Sequence, residues 1–291
     1  MCKTCGCGEE AESKVVNLQT GAEFDLKKPL PSAGHVHSHP HDVAHAHGHA
    51  HPHGHEHSHD HDHAQDDARR TLDVQARILA KNDAVAARNR AWLAGREIFA
   101  LNLLSAPGAG KTTLVERTIR ALKDRIPLFV IEGDQATSLD GERIRAAGAP
   151  AVQVNTGAGC HLDAEMVARG LAELRPSPGS IVLIENVGNL VCPALFDLGE
   201  GAKAVILSVT EGDDKPLKYP HMFRAAQLLA VNKIDLAPYV DFDRIQAVMN
   251  ARKINPAIEA LEVSATSGQG FEAWLTWLLK ANAASHEAAF V

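Results

Sequence analysis

The stretch SAPGAGKTT, residues 105–113, follows an apolar segment and has residue types suited to binding phosphate. It matches G-x-x-x-x-G-K-[ST] except that Ser105 replaces the first glycine. Small residues let backbone N–H groups surround phosphate oxygens at a helix N-terminus. We expect Lys111 to neutralise the β- and γ-phosphates and Thr112 to bind Mg²⁺. The residues assigned to nucleotide contact in this loop are Gly108, Ala109, Gly110, Lys111, Thr112 and Thr113.

Two further motifs predict which base is bound. Asn232, Lys233 and Asp235 form N-K-x-D after an apolar segment. A carboxylate at Asp235 can accept two hydrogen bonds from guanine, whereas adenine offers no such donor pair. Further on, VSATSG places Ser264 and Ala265 where backbone groups can meet the guanine carbonyl. The order of these motifs favours GTP over ATP.

Acidic residues at two other segment ends could complete this site. Asp134, in EGDQ, is the first candidate for the Mg²⁺ shell, and Glu185, in ENVG, is the second. Either acid could instead be a solvated residue at a strand end. Gly188 offers an N–H suited to sensing the γ-phosphate. We predict Lys111, Asp134 and Glu185 as catalytic residues and expect slow hydrolysis, because no motif indicates an arginine finger or a catalytic glutamine.

A cysteine motif, MCKTCGCG, stands at the start of the chain. Cys2, Cys5 and Cys7 supply three thiolates, one fewer than a structural zinc site usually takes. Thiolates combined with terminal amine or amide nitrogen suit Ni(II). The alternative is an unstructured terminus with incidental cysteines.

Fourteen of the 17 histidines lie between residues 35 and 63. Neutral imidazole binds nickel, zinc, copper and cobalt, and a chain without preset geometry offers many moderate sites. A merely solvating tail and an expression tag are the alternatives, although tags usually use consecutive histidines. The proposed ligands are His35, His37, His39, His41, His45, His47, His49, His51, His53, His55, His57, His59, His61 and His63.

The other two cysteines are Cys160, which precedes His161 at an expected helix start, and Cys192. They follow predicted strand ends and would give a Cys-His-Cys ligand set, two sets of which a dimer could bring together. Both cysteines could equally be packed core residues.

The elements that must position these residues alternate between continuous Val/Ile/Leu strands and amphipathic helices. This pattern predicts an α/β P-loop NTPase fold, with a mostly parallel sheet covered by helices on both faces. Ligands of such sheets bind at the carboxyl ends of the strands, where these motifs fall. We predict a disordered metal-binding tail (1–67), an N-terminal helix (68–94), a GTPase domain (95–283) and a C-terminal tail (284–291).

Charge and composition exclude several classes of function. Residues 1–67 contain four lysines and eleven acidic residues, a net charge of −7 that equals the value for the whole chain. A neutral body with an acidic tail provides no basic surface for binding nucleic acid or an anionic membrane. The sequence shows no secretory signal and no apolar run long enough for membrane insertion. The odd number of cysteines suits a reducing cytoplasm.

The combination of MCKTCGCG, SAPGAGKTT, EGDQ, TGAGCHLDA, ENVGNLVCP, NKID and SATSG resembles the hydrogenase nickel-incorporation GTPases of the HypB family. The resemblance covers residues 1–14 and about 95–283, and Ser105 is normal for that family. The family belongs to the dimerising P-loop GTPases, with the signal-recognition and urease-accessory GTPases.

The resemblance implies a high-affinity nickel site at Cys2, Cys5 and Cys7 and a weaker Ni²⁺ or Zn²⁺ site at Cys160, His161 and Cys192. It also implies a GTP-dependent homodimer that releases metal toward the [NiFe]-hydrogenase large subunit, with a HypA-type metallochaperone as partner. The histidine tract, present in some members, would be a nickel reserve.

The sequence therefore predicts a GTP-hydrolysing nickel metallochaperone. A urease-accessory nickel GTPase and a nickel-storage protein with a non-essential nucleotide site are the alternatives.

Overall fold

The computed structural model describes residues 13–26, 63–134, 139–157 and 159–288. Its strands form one nine-stranded sheet in the order β2-β1-β5-β4-β6-β3-β7-β8-β9. The strands are β1 (Lys14–Asn17), β2 (Glu23–Asp25), β3 (Phe99–Ser105), β4 (Leu128–Asp134), β5 (Ala151–Asn155), β6 (Ile181–Glu185), β7 (Ala202–Ser208), β8 (Leu228–Asn232) and β9 (Glu259–Val263). All pairings from β5 to β9 are parallel, and β1 pairs antiparallel with β2 and β5. The predicted fold class is confirmed.

Helices connect the parallel strands, as crossover connections require. They are α1 (His63–Ala94), α2 (Lys111–Leu122), α3 (Leu139–Ala147), α4 (Ala164–Leu174), α5 (Cys192–Leu195), α6 (Lys215–Lys218), α7 (Pro220–Ala225), α8 (Arg244–Ile254) and α9 (Phe271–Ala288), with a 3₁₀ helix at Ile234–Tyr239. None of the helices in the described part of the chain is long and apolar enough to cross a membrane.

The central strands are buried on both faces, because helices cover each side of the sheet. On one face, α2, α3 and α9 form a single apolar cluster centred on the fully buried Trp274. The indole N–H of Trp274 donates to Thr118 Oγ1 at 2.9 Å. On the other face two clusters form, one around α7 and α8 and one around α1 and α4. Continuous apolar strands such as β3 and β6 are the expected consequence of this double covering.

The register of the parallel strands brings their carboxyl ends to one edge of the sheet. Leu103 of β3 pairs with Glu185 of β6, and Glu132 of β4 also pairs with Glu185. On the far side Ser208 pairs with Asn232. The loops that follow these strands carry the predicted motifs, so the topology alone places those motifs at the same edge.

Two strands lie within the segment that the sequence assigned to a disordered tail, and that prediction is wrong for residues 13–26. Strand β1 pairs with the edge strand β5 from Lys14↔Asn155 to Asn17↔Val152. Val15 is only 1% exposed and joins the cluster of α1 and α4. The hairpin therefore satisfies backbone groups of β5 that would otherwise be unpaired, and it moves the sheet edge outward.

Two predicted boundaries also shift. Helix α1 begins at His63 rather than at Ala68, so the last residues of the predicted tail belong to a helix. Helix α9 continues to Ala288, beyond the boundary expected after residue 283. Cys160 and His161 lie in the loop before α4 and not at its start, because Asp163 caps that helix by accepting from Met166 N at 2.7 Å.

Replacing Val15 with alanine tests whether the hairpin is part of the cooperative fold. Val15→Ala removes two buried methyl groups, so we expect the free energy of unfolding to fall by about 2 kcal/mol. Val16, which is only partly buried, supplies the control. Val16→Ala should cost less than about 1 kcal/mol. Equal midpoints for both variants in urea denaturation would mean that β1 does not contribute to global stability.

Candidate functional site

The loop between β3 and α2 has the form of a phosphate-binding loop. Lys111 opens α2, and its Nζ donates to Ser105 Oγ at 2.7 Å. Ser105, at the end of β3, is completely buried. The residue that departs from the glycine pattern therefore holds the lysine amine inside the loop. Thr112 Oγ1 donates to Glu185 Oε1 at 2.7 Å, which joins the loop to the end of β6.

Close contacts at two glycines keep this loop in contact with its neighbours. Gly110 has φ 97°, a left-handed conformation, and a Cβ there would lie 2.6 Å from Asn232 Nδ2. A Cβ on Gly188 would lie 2.9 Å from Pro107 Cα. A side chain at either position would therefore separate the loop from the segment that packs on it.

Buried charges concentrate beneath the loop. Burial lowers the pKa of Lys111, and the charge of Glu185 opposes that shift. Burial raises the pKa of Glu185, opposed by Lys111 and Thr112. Burial, reinforced by Glu185 and Asp134, raises the pKa of Glu132 to about 9.

One carboxylate oxygen of Glu132 and one of Glu185, Oε2 in each case, are buried without a hydrogen-bond partner among the described residues. Buried oxygens of this kind normally have a partner. Together with the Thr112 hydroxyl and Asp134, they form a set of hard oxygen ligands that fits Mg²⁺.

A cavity of about 510 Å³ opens over the loop. Its size is within the range of small-molecule sites. Its lining includes most of the predicted phosphate and Mg²⁺ residues. The lining residues are Pro107, Gly108, Ala109, Gly110, Lys111, Thr112, Thr113, Glu132, Gly133, Asp134, Asp140, Arg143, Glu185, Asn186, Val187, Gly188 and Lys233.

Asp140, Arg143 and Asn186 line this cavity but were not identified from the sequence. Arg143 Nη2 donates to Thr113 Oγ1 at 3.2 Å and to Glu116 Oε2 at 3.1 Å. Asp140 and Arg143 belong to no recognisable motif, because α3 reads as an ordinary surface helix, whereas Asn186 lies within the ENVG motif but was given no role there. The structure thus places an arginine beside the phosphate loop, where sequence motifs indicated none.

The N-K-x-D segment is bound directly to the phosphate loop. Asn232 Nδ2 donates to Ala109 O at 2.8 Å, and Lys233 Nζ donates to Gly108 O at 2.7 Å. Asn232 Oδ1 accepts from Ala265 N at 3.1 Å, which brings the second predicted base-binding segment to the same place. Asn232 therefore connects three separate loops.

Asp235 does not line the cavity, but it follows Lys233, which does, by two residues. Its Oδ1 is buried and has no hydrogen-bond partner among the described residues. An unpaired carboxylate oxygen beside a nucleotide-sized cavity is suited to accept hydrogen bonds from a base. Ser264, which is completely buried, accepts from Ser267 N at 3.0 Å and so shapes the neighbouring loop.

Cys160, His161 and Cys192 converge although 30 residues separate the last two in sequence. Their ligand atoms all lie within 4.8 Å of one another, and all three residues are partly buried. The His161 ring packs on Phe196, with centroids 3.9 Å apart. Burial lowers the pKa of His161, with Asp163 opposing, and this favours the neutral imidazole that binds metals. The arrangement brings two thiols and one imidazole close enough together to bind a single ion.

The remaining predicted metal ligands belong to the N-terminal part of the chain. Cys2, Cys5 and Cys7 and the histidines from His35 to His61 lie outside the described residues. His63 is the first residue of α1.

Comparison with known proteins agrees with this geometry. The family model described as "CobW/HypB/UreG, nucleotide-binding domain" matches residues 100–262. The chain is 57% identical over 210 residues to the hydrogenase maturation factor HypB of Escherichia coli K12, with 72% of each chain covered. It is 58% identical over 209 residues to HypB of Azotobacter vinelandii, covering 72% of this chain and 69% of that protein.

Two crystal structures are similar along most of their length. HypB from Archaeoglobus fulgidus has a TM-score of 0.66 at 40% identity, covering 70% of this chain and all of that one. HypB from Helicobacter pylori in complex with nickel has a TM-score of 0.66 at 36% identity, covering 71% of this chain and 97% of that one.

The fold and the phosphate-loop cavity define a P-loop nucleotide-binding protein. This chain belongs to the CobW/HypB/UreG family, within its HypB branch of hydrogenase maturation factors. The family resemblance read from the motifs is confirmed.

Lys111→Ala should weaken nucleoside triphosphate binding by roughly 10- to 100-fold, the loss expected for one charge-assisted contact. The fold should persist, because Lys111 Nζ bonds only to Ser105 among the hydrogen bonds described. Lys123→Ala, at an exposed position just after α2, is the matched control and should bind normally. Fluorescent-nucleotide titration measures both, and equal affinities would remove Lys111 from the phosphate site.

Proposed function

We propose that this protein is a GTP-hydrolysing nickel metallochaperone that stores nickel and delivers it during [NiFe]-hydrogenase maturation. One observation carries the proposal: the nucleotide cavity and the Cys160–His161–Cys192 group share the segment after β6. Glu185 borders the cavity, and Cys192 follows it by seven residues. The names of the similar proteins support the assignment, since they are hydrogenase maturation factors and one was crystallised with nickel.

GTP is the proposed nucleotide because Asp235, two residues after the cavity-lining Lys233, has a buried oxygen without a hydrogen-bond partner among the described residues. Its carboxylate would accept the guanine N1–H and 2-amino group, while Asn232 and Ala265 hold the loops around the base. Lys111 and the backbone around Gly108 would bind the phosphates, and the Gly188 N–H would report the γ-phosphate.

Thr112, Asp134 and Glu185 would hold Mg²⁺, with Glu132 close by. When bound, the ion neutralises phosphate charge during transfer to water. Lys111 would stabilise the negative charge that develops on the transferred group. Because the arginine near the phosphates, Arg143, is bonded to Glu116 and Asp140, slow intrinsic hydrolysis remains the expectation.

Nickel at Cys160, His161 and Cys192 is the proposed cargo, and Zn²⁺ could occupy the same ligands. Val191 and Leu195, on either side of Cys192, are 48% and 47% exposed. Exposed apolar side chains beside the ligands support a GTP-dependent homodimer with its interface over this site. Cys2, Cys5, Cys7 and the histidine tract would capture and store nickel. A HypA-type metallochaperone is a proposed partner, and the nickel is proposed to reach the hydrogenase large subunit directly or indirectly.

The central experiment compares nickel affinity in two nucleotide states. We use the full chain with Cys2→Ser, Cys5→Ser and Cys7→Ser, called the serine variant. In it, the thiolate-to-nickel charge-transfer absorption reports only Cys160 and Cys192, because imidazoles do not give that band. With free nickel set by a chelator, affinity should differ at least about fivefold between GDP and a non-hydrolysable GTP analogue. Equal affinities would refute nucleotide-coupled delivery.

Cys192→Ala in the serine variant should weaken nickel binding at this site roughly 100-fold, because one of three ligands is lost. GTP affinity should stay within about twofold, since Cys192 is not among the cavity residues. Lys123→Ala, at an exposed position outside the ligand group, the cavity lining and the proposed interface, is the control and should retain the nickel affinity of the serine variant. An unchanged absorption titration for Cys192→Ala would exclude Cys192 as a ligand.

Asp235→Asn should change base preference from guanine to xanthine. The amide keeps one acceptor but places a donor where the guanine amino group would bind, so GTP affinity should fall at least about 100-fold. Xanthosine triphosphate should bind the variant more tightly than it binds the natural protein. Asp241→Asn, at an exposed position, is the control. If Asp235→Asn kept full GTP selectivity, another residue would read the base.

A further inference from the structure

A chain of buried polar side chains crosses three neighbouring strands of the sheet. Asn186 Nδ2 donates to Asn102 Oδ1 at 3.3 Å, and Asn102 Nδ2 donates to Glu200 Oε1 at 3.0 Å. The three residues are 1%, 0% and 7% exposed. They follow β6, lie within β3 and precede β7, in that order. We call these residues the polar chain.

The polar chain interrupts an otherwise apolar face. On one side of it lies the cluster that contains Ala100 and Ile184, and on the other the cluster that contains Leu104 and Val205. Burying amide and carboxylate groups is costly unless their hydrogen bonds are made, and apolar residues would fill the space at lower cost. The groups that the two ends of the polar chain contact should therefore indicate its role.

Each end binds the backbone of a segment that carries proposed metal ligands. Asn186 Oδ1 accepts from Leu162 N at 3.1 Å, directly after His161. Glu200 Oε2 accepts from Leu198 N at 2.7 Å. Lys203 forms an ion pair with Glu200 at 3.3 Å and donates to Phe196 O at 3.2 Å. Phe196 is the residue whose ring packs on His161. Both segments that carry proposed ligands are thus hydrogen-bonded to the polar chain.

The same polar chain begins at the nucleotide cavity. Asn186 lines the cavity and directly follows Glu185, whose carboxylate accepts from Thr112. Asn186 N also donates to Leu103 O at 3.2 Å, so its backbone continues the pairing of β6 with β3. Any displacement of Glu185 that follows a change of nucleotide must move Asn186, and with it the acceptor of Leu162 N.

Helix α1 holds the ligand segments as well, but none of its described side chains is among those that line the cavity. Asn89 Nδ2 donates to Ala164 O at 2.8 Å and to Leu198 O at 3.0 Å. Asn82 accepts from Ala164 N at 2.9 Å and donates to Asp197 O at 2.7 Å. These bonds involve no residue that lines the cavity, so α1 provides a matched control for the polar chain.

We propose that Asn186, Asn102 and Glu200 are positioning residues that transmit the state of the nucleotide cavity to the Cys160–His161–Cys192 group. The proposal rests on the proposed function, because it assumes that nucleotide and metal are coupled. It adds a route for that coupling, separate from the covalent path between Glu185 and Cys192. Hydrogen-bonded networks that join two sites can carry such coupling.

The test breaks the polar chain at its centre. Asn102→Leu keeps the side-chain volume and lies outside both the cavity lining and the ligand set. In the serine variant, we measure nickel affinity from the charge-transfer absorption with GDP and with the non-hydrolysable GTP analogue. Asn102→Leu removes the acceptor that orients the Asn186 amide, whose oxygen accepts from Leu162 N. It should therefore reduce the affinity ratio between the two states to below about twofold, from at least about fivefold.

Asn89→Ala is the structural control. It should weaken nickel binding by a similar factor in both states and leave their ratio unchanged, because its bonds do not involve the cavity. Asn186→Ala is the second variant, should Asn102→Leu fail to fold, and it should also lower the ratio.

The outcomes separate the two proposals. If the serine variant itself shows a ratio near one, the coupling in the proposed function fails, and this inference fails with it. If the serine variant shows a clear ratio that Asn102→Leu and Asn186→Ala both retain, only this inference is overturned. A ratio lost equally in Asn89→Ala would also overturn it, because a general loosening of the ligand segments would then explain the effect.

Discussion

The hydrogen bond from Thr112 to Glu185 is the contact on which the arrangement of the site depends. It joins the start of α2 to the end of β6, inside a region where Lys111 and Glu185 are both nearly inaccessible to water. A buried carboxylate is stable there only with a hydroxyl, an amine or a cation beside it. Because Thr112 belongs to the phosphate loop, the position of the end of β6 depends on what binds in that loop. The segment that leads to Cys192 starts at the end of β6.

The Cys160–His161–Cys192 group depends on this contact in two ways. Cys192 continues the chain from Glu185, while Cys160 and His161 come from the loop after β5 and are held through Asn186 and helix α1. Each ligand segment also buries an apolar side chain, Leu162 in one and Leu198 in the other. Backbone hydrogen bonds to side chains of neighbouring strands and helices add to this packing. Such a group can change geometry without unfolding, as the proposed release of nickel requires.

The sequence predicted regular elements well where periodicity was long and misjudged short segments whose partners are distant. Helix α2 and strands such as β3 and β7 have patterns that identify them without a partner. Strand β1 has four residues, and its burial comes from pairing with β5, more than 130 residues away. Arg143 and Asn186 were missed for a related reason: each is ordinary in its own helix or loop and acquires a role only from what packs against it.

The sequence by itself determined the class of protein, because a phosphate-binding loop requires particular residues at fixed local spacing, here from Ser105 to Thr113. It also determined that the motifs share one sheet edge, since parallel strands align their carboxyl ends. Only the tertiary structure decided that Cys160, His161 and Cys192 meet, and that the polar chain of Asn186, Asn102 and Glu200 joins them to the cavity. Those contacts cross the sheet between strands remote in sequence, and no local pattern encodes the distance between such strands.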